Sequence, residues 1–169
     1  MTPFEALEKH GLLLQADAAL PSVTRLVAGG PIKGSWWSHP KGKAIFHACS
    51  VLADHPDVLM TRLVDGKVTF VHRRLWPALL AMAHGADGTG ISTAARVLLA
   101  RVRKGGRVVA TGEAALELEK RLLVLGSQEH TASGKHVRVL ESWRRWAKRT
   151  GTGPGEAATL DAAIRALRL

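Results

Sequence analysis

The sequence is short of cysteine, tyrosine and long apolar runs. Its 169 residues include no tyrosine and one cysteine. A single cysteine excludes an intramolecular disulfide framework and a zinc site built from cysteines. No apolar run approaches the roughly 18 residues of a membrane span. The first residues are acidic rather than basic, which argues against a secretory signal. We therefore expect a cytoplasmic protein that does not associate with a membrane.

Acidic residues are also scarce. The chain carries 24 Lys and Arg against 14 Asp and Glu, a formal net charge of +10 at pH 7. Such an excess favours an anionic partner, and DNA is the candidate that a chain without a membrane anchor suggests. The alternative is an Arg- and Ala-rich composition of the kind found in bacteria with GC-rich genomes. The placement of the charges has to decide between the two.

The apolar pattern predicts a mostly helical α+β fold in two lobes. Hydrophobic residues make up 46% of the chain, which is enough for a packed core. Ile45, Cys49 and Leu52 recur at helical spacing after Pro40, and they predict one clear amphipathic helix. Residues 84–90 contain three glycines and read as a linker. We therefore expect lobes at 1–86 and 91–169.

Each lobe is expected to contain one β-hairpin. In the first, residues 58–64 and 67–73 are rich in β-formers and flank Asp65-Gly66, a pair that suits a two-residue turn. That register puts Leu59 on the same buried face as Phe70 and leaves the opposite face cationic. In the second lobe, β-prone residues flank Ser133-Gly134 and predict a hairpin with a polar tip.

The second lobe resembles a known family. The signature is Leu122-Leu123-Val124, then His130-Thr131-x-Ser133-Gly134-x-His136, then Leu140-x-x-Trp143-x-x-Trp146. It is similar to the winged-helix modules of bacterial DNA glycosylase-like proteins related to interstrand-crosslink repair enzymes. The resemblance covers about a fifth of the chain and implies a winged-helix fold and DNA binding. The resemblance does not bring the catalytic Gln-x-Gln or Gln-x-Asp motif of those enzymes: Gln128 has no such partner, and Gln15-Ala16-Asp17, which has the Gln-x-Asp spacing, lies outside the residues that carry the resemblance. The resemblance therefore does not imply glycosylase activity.

Residues 33–43 form the most unusual segment of the sequence. It places two adjacent tryptophans among three lysines, directly before a predicted helix. Indole rings can stack on bases, and lysines with a helix N-terminus favour phosphates. We therefore predict nucleic-acid contacts from Lys33, Ser35, Trp36, Trp37, His39, Lys41 and Lys43. The competing interpretation places both indoles in the core; one buried and one exposed tryptophan would satisfy both.

Two further basic groups are candidates for phosphate contact. Arg62, Arg73 and Arg74 belong to the first hairpin or its end, and Lys135 and His136 belong to the tip of the second. A solvated surface without a ligand is the alternative for each group.

Catalytic signals are weaker than binding signals. Lys33, Lys41 or Lys43 would act as a Schiff-base nucleophile only if burial lowered its pKa. The histidines form no metal-ligand pattern, and we expect neither a metal nor another cofactor. The leading hypothesis is a DNA-binding protein, with a role in DNA repair suggested by the resemblance. A DNA glycosylase or abasic-site lyase, and a protein–protein adaptor that binds no nucleic acid, remain alternatives.

Overall fold

A computed structural model describes residues 1–168, apart from the side chain of His130. These residues form eight α-helices and two three-stranded antiparallel sheets, which confirms the mostly helical α+β fold. The chain divides into two compact units, Met1–Trp76 with the chain from Ala158 onward, and Pro77–Ala157. The lobe boundary expected at 86–91 falls inside the second unit. The last helix of the chain, from Ala158 onward, belongs to the first unit. None of the described helices has the length and apolar character to cross a membrane.

The first unit starts with a helix that its sequence specifies locally. In α1 (Pro3–His10) the Thr2 side chain accepts a hydrogen bond from the Glu5 amide, and the Glu5 carboxylate accepts one from the Thr2 amide. This reciprocal cap and Pro3 in the first turn fix the helix start. The remaining elements are β1 (Leu12–Leu14), α2 (Val23–Ala28), α3 (Gly42–Ala53), β2 (Val58–Arg62), β3 (Val68–His72) and, at the C-terminus, α8 (Ala157–Ala166).

The first hairpin forms, but its register differs from the predicted one. The two-residue turn at Asp65-Gly66 is replaced by a longer connection that includes a 3-10 turn, with Asp65 at φ 51°. Aspartate is among the few non-glycine residues that adopt this left-handed conformation readily. The extra residue shifts the pairing by one, so Met60 lies opposite Phe70, where the two-residue turn would have placed Thr61. A shift of one exchanges the two faces of a strand. Phe70 is buried as predicted, but Met60 and Arg62 of β2 share its face, where Leu59 was expected.

The core of the first unit lies between its helices and the sheet. Ile45, Cys49 and Leu52 are buried along one side of α3, as their spacing predicts. They pack in one cluster with Leu7 of α1 and Phe70 of the central strand β3. Because this stripe fixes the rotation of α3, Lys43, Phe46 and His47 are exposed.

The second unit repeats the strand order of the first. Its elements are α4 (Trp76–His84), which starts at the last residue of the first unit, then α5 (Thr93–Gly105), β4 (Arg107–Val109), α6 (Glu113–Lys120), β5 (Leu125–His130), β6 (His136–Glu141) and α7 (Trp143–Thr150). The sheets are ordered β1-β3-β2 and β4-β6-β5. In both, the strand that is last in sequence lies in the middle. The predicted second hairpin, β5–β6, is confirmed.

The second unit buries two carboxylates, and each is paired with an arginine. Glu119 of α6 is 3% exposed and bonds to Arg138 of β6, whose Nε lies 3.0 Å from Oε2. Glu141 is 2% exposed and pairs with Arg149 of α7. A Cβ at position 126 would overlap the Glu119 carboxylate as it lies here, so Gly126 leaves room for the buried ion pair. Four of the chain's charges therefore stabilise the fold of this unit.

Candidate functional site

The two adjacent tryptophans of the first unit have different environments. Trp36 and Trp37 lie in a 3-10 turn (Trp36–Ser38) that leads into α3. Trp36 is half-buried and packs against the core of the unit. Trp37 is 64% exposed and stacks on Trp36, with ring centroids 4.1 Å apart and an angle of 24° between the planes. One indole is therefore an anchor and the other faces solvent, which satisfies both sequence interpretations.

An exposed phenylalanine extends this aromatic surface. Phe46 of α3 is 54% exposed, and its ring centroid lies 5.6 Å from that of Trp37. We call Trp36, Trp37 and Phe46 the aromatic platform. Sequence reasoning missed Phe46, although a signal was present: it follows Ile45 directly and so falls outside the buried stripe of α3. Large aromatic side chains without cover on a surface commonly mark a binding site.

Two lysines of the segment 33–43 have no ion-pair partner among the described residues. Lys43 lies in the first turn of α3, three residues before Phe46, and residues at this spacing share one side of a helix. Lys33 precedes the platform in the chain, and Ser35 lies at the start of the 3-10 turn without a capping hydrogen bond from its side chain. All three side chains are exposed, and neither lysine forms an ion pair with a described residue.

Lys41 and His39 have structural roles in the same segment. The Lys41 ammonium donates to the carbonyl oxygens of Val27 and Ala28, at 3.1 and 3.2 Å, and so satisfies the C-terminal end of α2. The His39 Nδ1 accepts a hydrogen bond of 3.1 Å from the backbone amide of Lys41. These bonds hold the segment in place, and they occupy groups that the sequence suggested for a ligand.

The three arginines near the first hairpin also have partners within the protein. Arg74 donates to the carbonyl oxygens of Glu8 and Lys9 at the C-terminal end of α1. Arg62 is half-buried and donates to the Gly66 carbonyl oxygen at 3.2 Å. These two guanidinium groups satisfy backbone carbonyls of the first unit.

Arg73 is engaged as well, although it is more exposed. Its guanidinium lies 2.8 Å from the Asp57 carboxylate and 5.9 Å from the centroid of the Trp76 ring. Burial lowers the pKa of the neighbouring His72, and the positive charge of Arg74 lowers it further. Of the three arginines, Arg73 is the one that an ion pair with a described carboxylate neutralises.

Lys135 and His136 belong to the second unit, at the tip of the β5–β6 hairpin. Both side chains are exposed. The tip is closed by a backbone hydrogen bond of 2.8 Å from Thr131 to the Lys135 carbonyl, and the hydroxyl groups of Thr131 and Ser133 lie 2.9 Å apart. The predicted residues of 33–43 therefore belong to the first unit, whereas Lys135 and His136 belong to the second.

The helices that precede the two hairpins differ in character. In the first unit α2 and α3 lead directly to the hairpin, and the exposed residues of α3 include Lys43, Phe46 and His47. In the second unit β4 separates α5 from α6, and α6 is acidic. The carboxylate of Glu117 accepts hydrogen bonds from the Ser92 amide and hydroxyl at the start of α5. The surface of α3 therefore suits a polyanion better than that of α6.

Groups for covalent or metal chemistry are not assembled near the aromatic platform. Burial raises the pKa of the Cys49 thiol to about 11, which keeps it protonated and unreactive. Lys33, Lys41 and Lys43 are exposed, and exposure does not activate an amine for Schiff-base formation. Among the described residues, no three His, Cys, Asp or Glu side chains are grouped as metal ligands. The arrangement is suited to stacking and charge neutralisation.

The glycosylase-like resemblance of residues 114–146 stays a prediction. Comparison of the chain with protein-family models, with curated proteins and with solved structures found no match.

Proposed function

We propose that the first unit binds DNA that exposes unstacked bases, with the Trp37 indole stacking on a base and Lys33 and Lys43 neutralising nearby phosphates. The observation that carries the proposal is the pair of stacked indoles, one anchored in the core and one 64% exposed. Base–aromatic stacking contributes about 1–3 kcal/mol per base and tolerates any base, because every base has a π-face. Binding of this kind depends on the structure of the DNA more than on its sequence.

The position of Trp37 lowers the cost of binding. An exposed aromatic side chain on a flexible loop would lose conformational entropy when it stacks on a ligand. Trp37 already rests on Trp36, and the segment is tied to α2 through Lys41. The surface offered to a base is therefore formed before the ligand arrives, which favours affinity.

The order of elements supports contact through α3. A helix, a second helix and a hairpin follow one another in the first unit, as in winged helix-turn-helix modules, whose second helix reads DNA with its N-terminal residues. The corresponding part of α3 carries Lys43 and Phe46. The tip of the hairpin is neutralised, because Lys67 pairs with Asp17 and Asp65 pairs with Arg168. We therefore assign the contact to α3 and the aromatic platform.

A role in DNA repair or genome maintenance follows from the type of DNA proposed. Unpaired or distorted bases occur where a duplex is damaged or opened, and the cost of exposing a base is lowest there. The exposed lysines of the segment favour a binding protein over a glycosylase or lyase. The family that the second lobe resembles is bacterial, and bacterial DNA lies in the cytoplasm, so we propose a cytoplasmic location.

A protein partner is the second candidate for the same surface. Trp37 and Phe46 are 64% and 54% exposed and form a continuous apolar surface, with ring centroids 5.6 Å apart. Val51, elsewhere on α3, is also 54% exposed. Apolar side chains of this size are typical anchors in protein–protein interfaces. An adaptor of this kind would bind without dependence on DNA.

The decisive experiment compares Trp37→Ala with Val51→Ala. Both changes truncate an exposed apolar side chain of the first unit, but only Trp37 can stack on a base. We expect Trp37→Ala to weaken binding to a single-stranded oligothymidylate by about 5- to 150-fold, which corresponds to about 1–3 kcal/mol of stacking. Isothermal titration calorimetry at fixed salt measures the affinity, and thermal melting followed by circular dichroism checks that both variants fold.

The outcomes separate the candidates. The Val51→Ala variant should bind DNA as the wild type does, and intact duplex should be less sensitive to Trp37→Ala than the single strand. A wild-type protein without salt-dependent affinity for any DNA would exclude the proposal. Equal losses in both variants would also contradict stacking, because the two side chains would then act only as apolar surface.

A further inference from the structure

The second unit contains a pocket that the proposed DNA contact does not use. Its volume is about 380 Å³, and its walls come from the end of α4, the middle of α5, Leu123 and the first residues of α7. Pockets of about 300–1,000 Å³ are the usual size for small-molecule sites. All of its lining residues belong to the second unit. We call this feature the α7 pocket.

The polar side chains of the α7 pocket can donate hydrogen bonds and carry positive charge. Arg103 of α5 and Arg144 of α7 supply two guanidinium groups, and His84 supplies an imidazole. Neither arginine forms an ion pair with a described residue. Among the described residues that line the pocket there is no Asp or Glu. The charge of the pocket is therefore uncompensated, and its chemistry favours an anion.

The backbone at the start of α7 adds donors to the same wall. The Ser142 hydroxyl accepts the Arg145 amide at 3.2 Å, which caps the helix. The amides of Trp143 and Arg144 occupy the next two positions, where no intrahelical acceptor exists, and no described residue supplies one. Free amides at the positive end of a helix dipole bind phosphate and carboxylate groups.

Other parts of the α7 pocket are apolar. Leu99 and Val102 of α5 and Leu123 line it, together with Trp143, which is 4% exposed. The indole Nε1 of Trp143 is buried and has no acceptor among the described residues. Positive donors next to apolar side chains suit a ligand with an anionic head and a hydrophobic or planar body.

We propose that the α7 pocket binds a phosphate monoester with an apolar or aromatic group attached. The phosphate lies against Arg103, Arg144 and the start of α7. The body of the ligand contacts Leu99 and Leu123. Two guanidinium groups and a helix N-terminus match the dianionic charge and the several acceptor oxygens of a phosphate monoester better than a single carboxylate. A free organic phosphate and the 5′-phosphate end of a DNA strand both present this chemistry.

The test uses the whole chain and three small probes in isothermal titration calorimetry. Phenyl phosphate carries both the charge and the ring, inorganic phosphate carries only the charge, and phenol carries only the ring. We expect phenyl phosphate to bind at least about tenfold more tightly than either fragment. Arg103→Gln and Arg144→Gln should each weaken phenyl phosphate binding by about tenfold or more, because each removes a charge-assisted hydrogen bond.

Matched controls exist on the same two helices. Arg101→Gln on α5 and Arg145→Gln on α7 remove the same charge from exposed positions that do not line the pocket. They should leave the affinity for phenyl phosphate within about twofold of the wild type, since neither guanidinium lines the pocket and charges exposed to solvent are screened. No detectable binding of phenyl phosphate, or an equal loss in all four variants, would overturn the proposal.

The source of the phosphate is resolved by a second pair of titrations. A single-stranded oligonucleotide is compared with and without a 5′-phosphate, in the wild type and in Arg144→Gln. If the 5′-phosphate increases affinity only in the wild type, the ligand is a DNA end. If phenyl phosphate binds but the 5′-phosphate has no effect, the ligand is a free organic phosphate. Trp37→Ala should not change binding of phenyl phosphate, so failure here is distinguishable from failure of the DNA proposal.

Discussion

The two units share a strand order but use their charges differently. In the first unit, basic side chains such as Lys41 and Arg74 satisfy carbonyl oxygens at the ends of helices, and an aromatic platform is exposed. In the second, arginines neutralise the buried carboxylates of Glu119 and Glu141. Eleven Lys and Arg oppose seven Asp and Glu in the first unit, and thirteen oppose seven in the second. Similar charge excesses therefore leave different surfaces.

The difference shows that net charge is a poor guide to the charge available to a ligand. A basic side chain that satisfies a backbone carbonyl keeps its charge, but it is no longer free to move toward a phosphate. A basic side chain that neutralises a buried acid contributes no net charge to the surface. In the first unit the unpaired Lys43 lies on the same side of α3 as Phe46, whereas in the second unit Arg103 and Arg144 line a pocket. Three experiments test this comparison.

The largest effect is expected from Arg138→Ala in the second unit. The change leaves the Glu119 carboxylate buried without its partner, and loss of one member of a buried pair costs about 3–5 kcal/mol. Urea unfolding followed by circular dichroism measures the free energy of unfolding. Arg101→Ala, on an exposed and unpaired arginine, is the control and should change it by no more than about 0.5 kcal/mol. A loss below about 1 kcal/mol for Arg138→Ala would show that Glu119 does not need this partner.

A smaller loss of stability is expected when the Asp17 carboxylate of the first unit is removed or protonated. Burial raises the pKa of Asp17, but hydrogen bonds from the Leu20 amide and Lys67 outweigh burial and lower the pKa from 3.8 to about 2. A depressed pKa stabilises the folded state above pH 4, and this contribution is lost as the pH falls toward 2. Asp17→Asn should therefore reduce the free energy of unfolding at pH 7 by about 2 kcal/mol.

The pH dependence makes this prediction specific. The difference between wild type and Asp17→Asn in urea unfolding should shrink steadily between pH 4 and pH 2, because the wild-type carboxyl is then protonated as well. A difference that stays constant over this range would show that the Asn variant loses packing rather than a charge. Lys67→Met removes the ammonium partner and should reproduce part of the loss at pH 7.

The smallest effect is expected on the salt dependence of DNA binding, which distinguishes the exposed Lys33 and Lys43 from Lys41, whose ammonium is bonded to α2. The slope of log K against log salt reports the number of phosphates neutralised, at about 0.7 per phosphate for a single strand. Replacing both Lys33 and Lys43 with alanine should reduce the slope by about 1.4 if each contacts one phosphate. Lys41→Ala should leave the slope unchanged, since its ammonium is bonded to α2. A reduced slope for Lys41→Ala would show that this lysine leaves α2 when DNA binds.

Local features of the fold were predictable from the sequence. The cap of α1 follows from Thr2 and Glu5, and the rotation of α3 follows from the stripe that includes Ile45. These signals act over a few residues, so the sequence states them directly. Strand β1 (Leu12–Leu14) was not predicted, because its three leucines are all buried and do not alternate with polar residues.

Features that depend on distant residues were not predictable in the same way. Arg74 bonds to the Lys9 carbonyl 65 residues earlier, and nothing near either residue announces the contact. The hairpin register depends on the conformation of Asp65, which a two-residue turn rule does not describe. Of the candidate site, the sequence identified the tryptophan segment. It did not show which indole is exposed, because that depends on how α3 packs against the core.

The placement of the tryptophans gives the protein two distinguishable sources of ultraviolet emission. Without tyrosine, emission comes from indole alone. Trp37 faces water, whereas Trp143 and Trp146 of the second unit are buried edge to face with ring centroids 5.5 Å apart. Solvent relaxation shifts emission from Trp37 to longer wavelength than emission from the buried pair. The first unit also contains the half-buried Trp36 and Trp76. A base stacked on Trp37 would quench the red-shifted part of the emission, so the spectrum of the unlabelled protein reports binding at the aromatic platform.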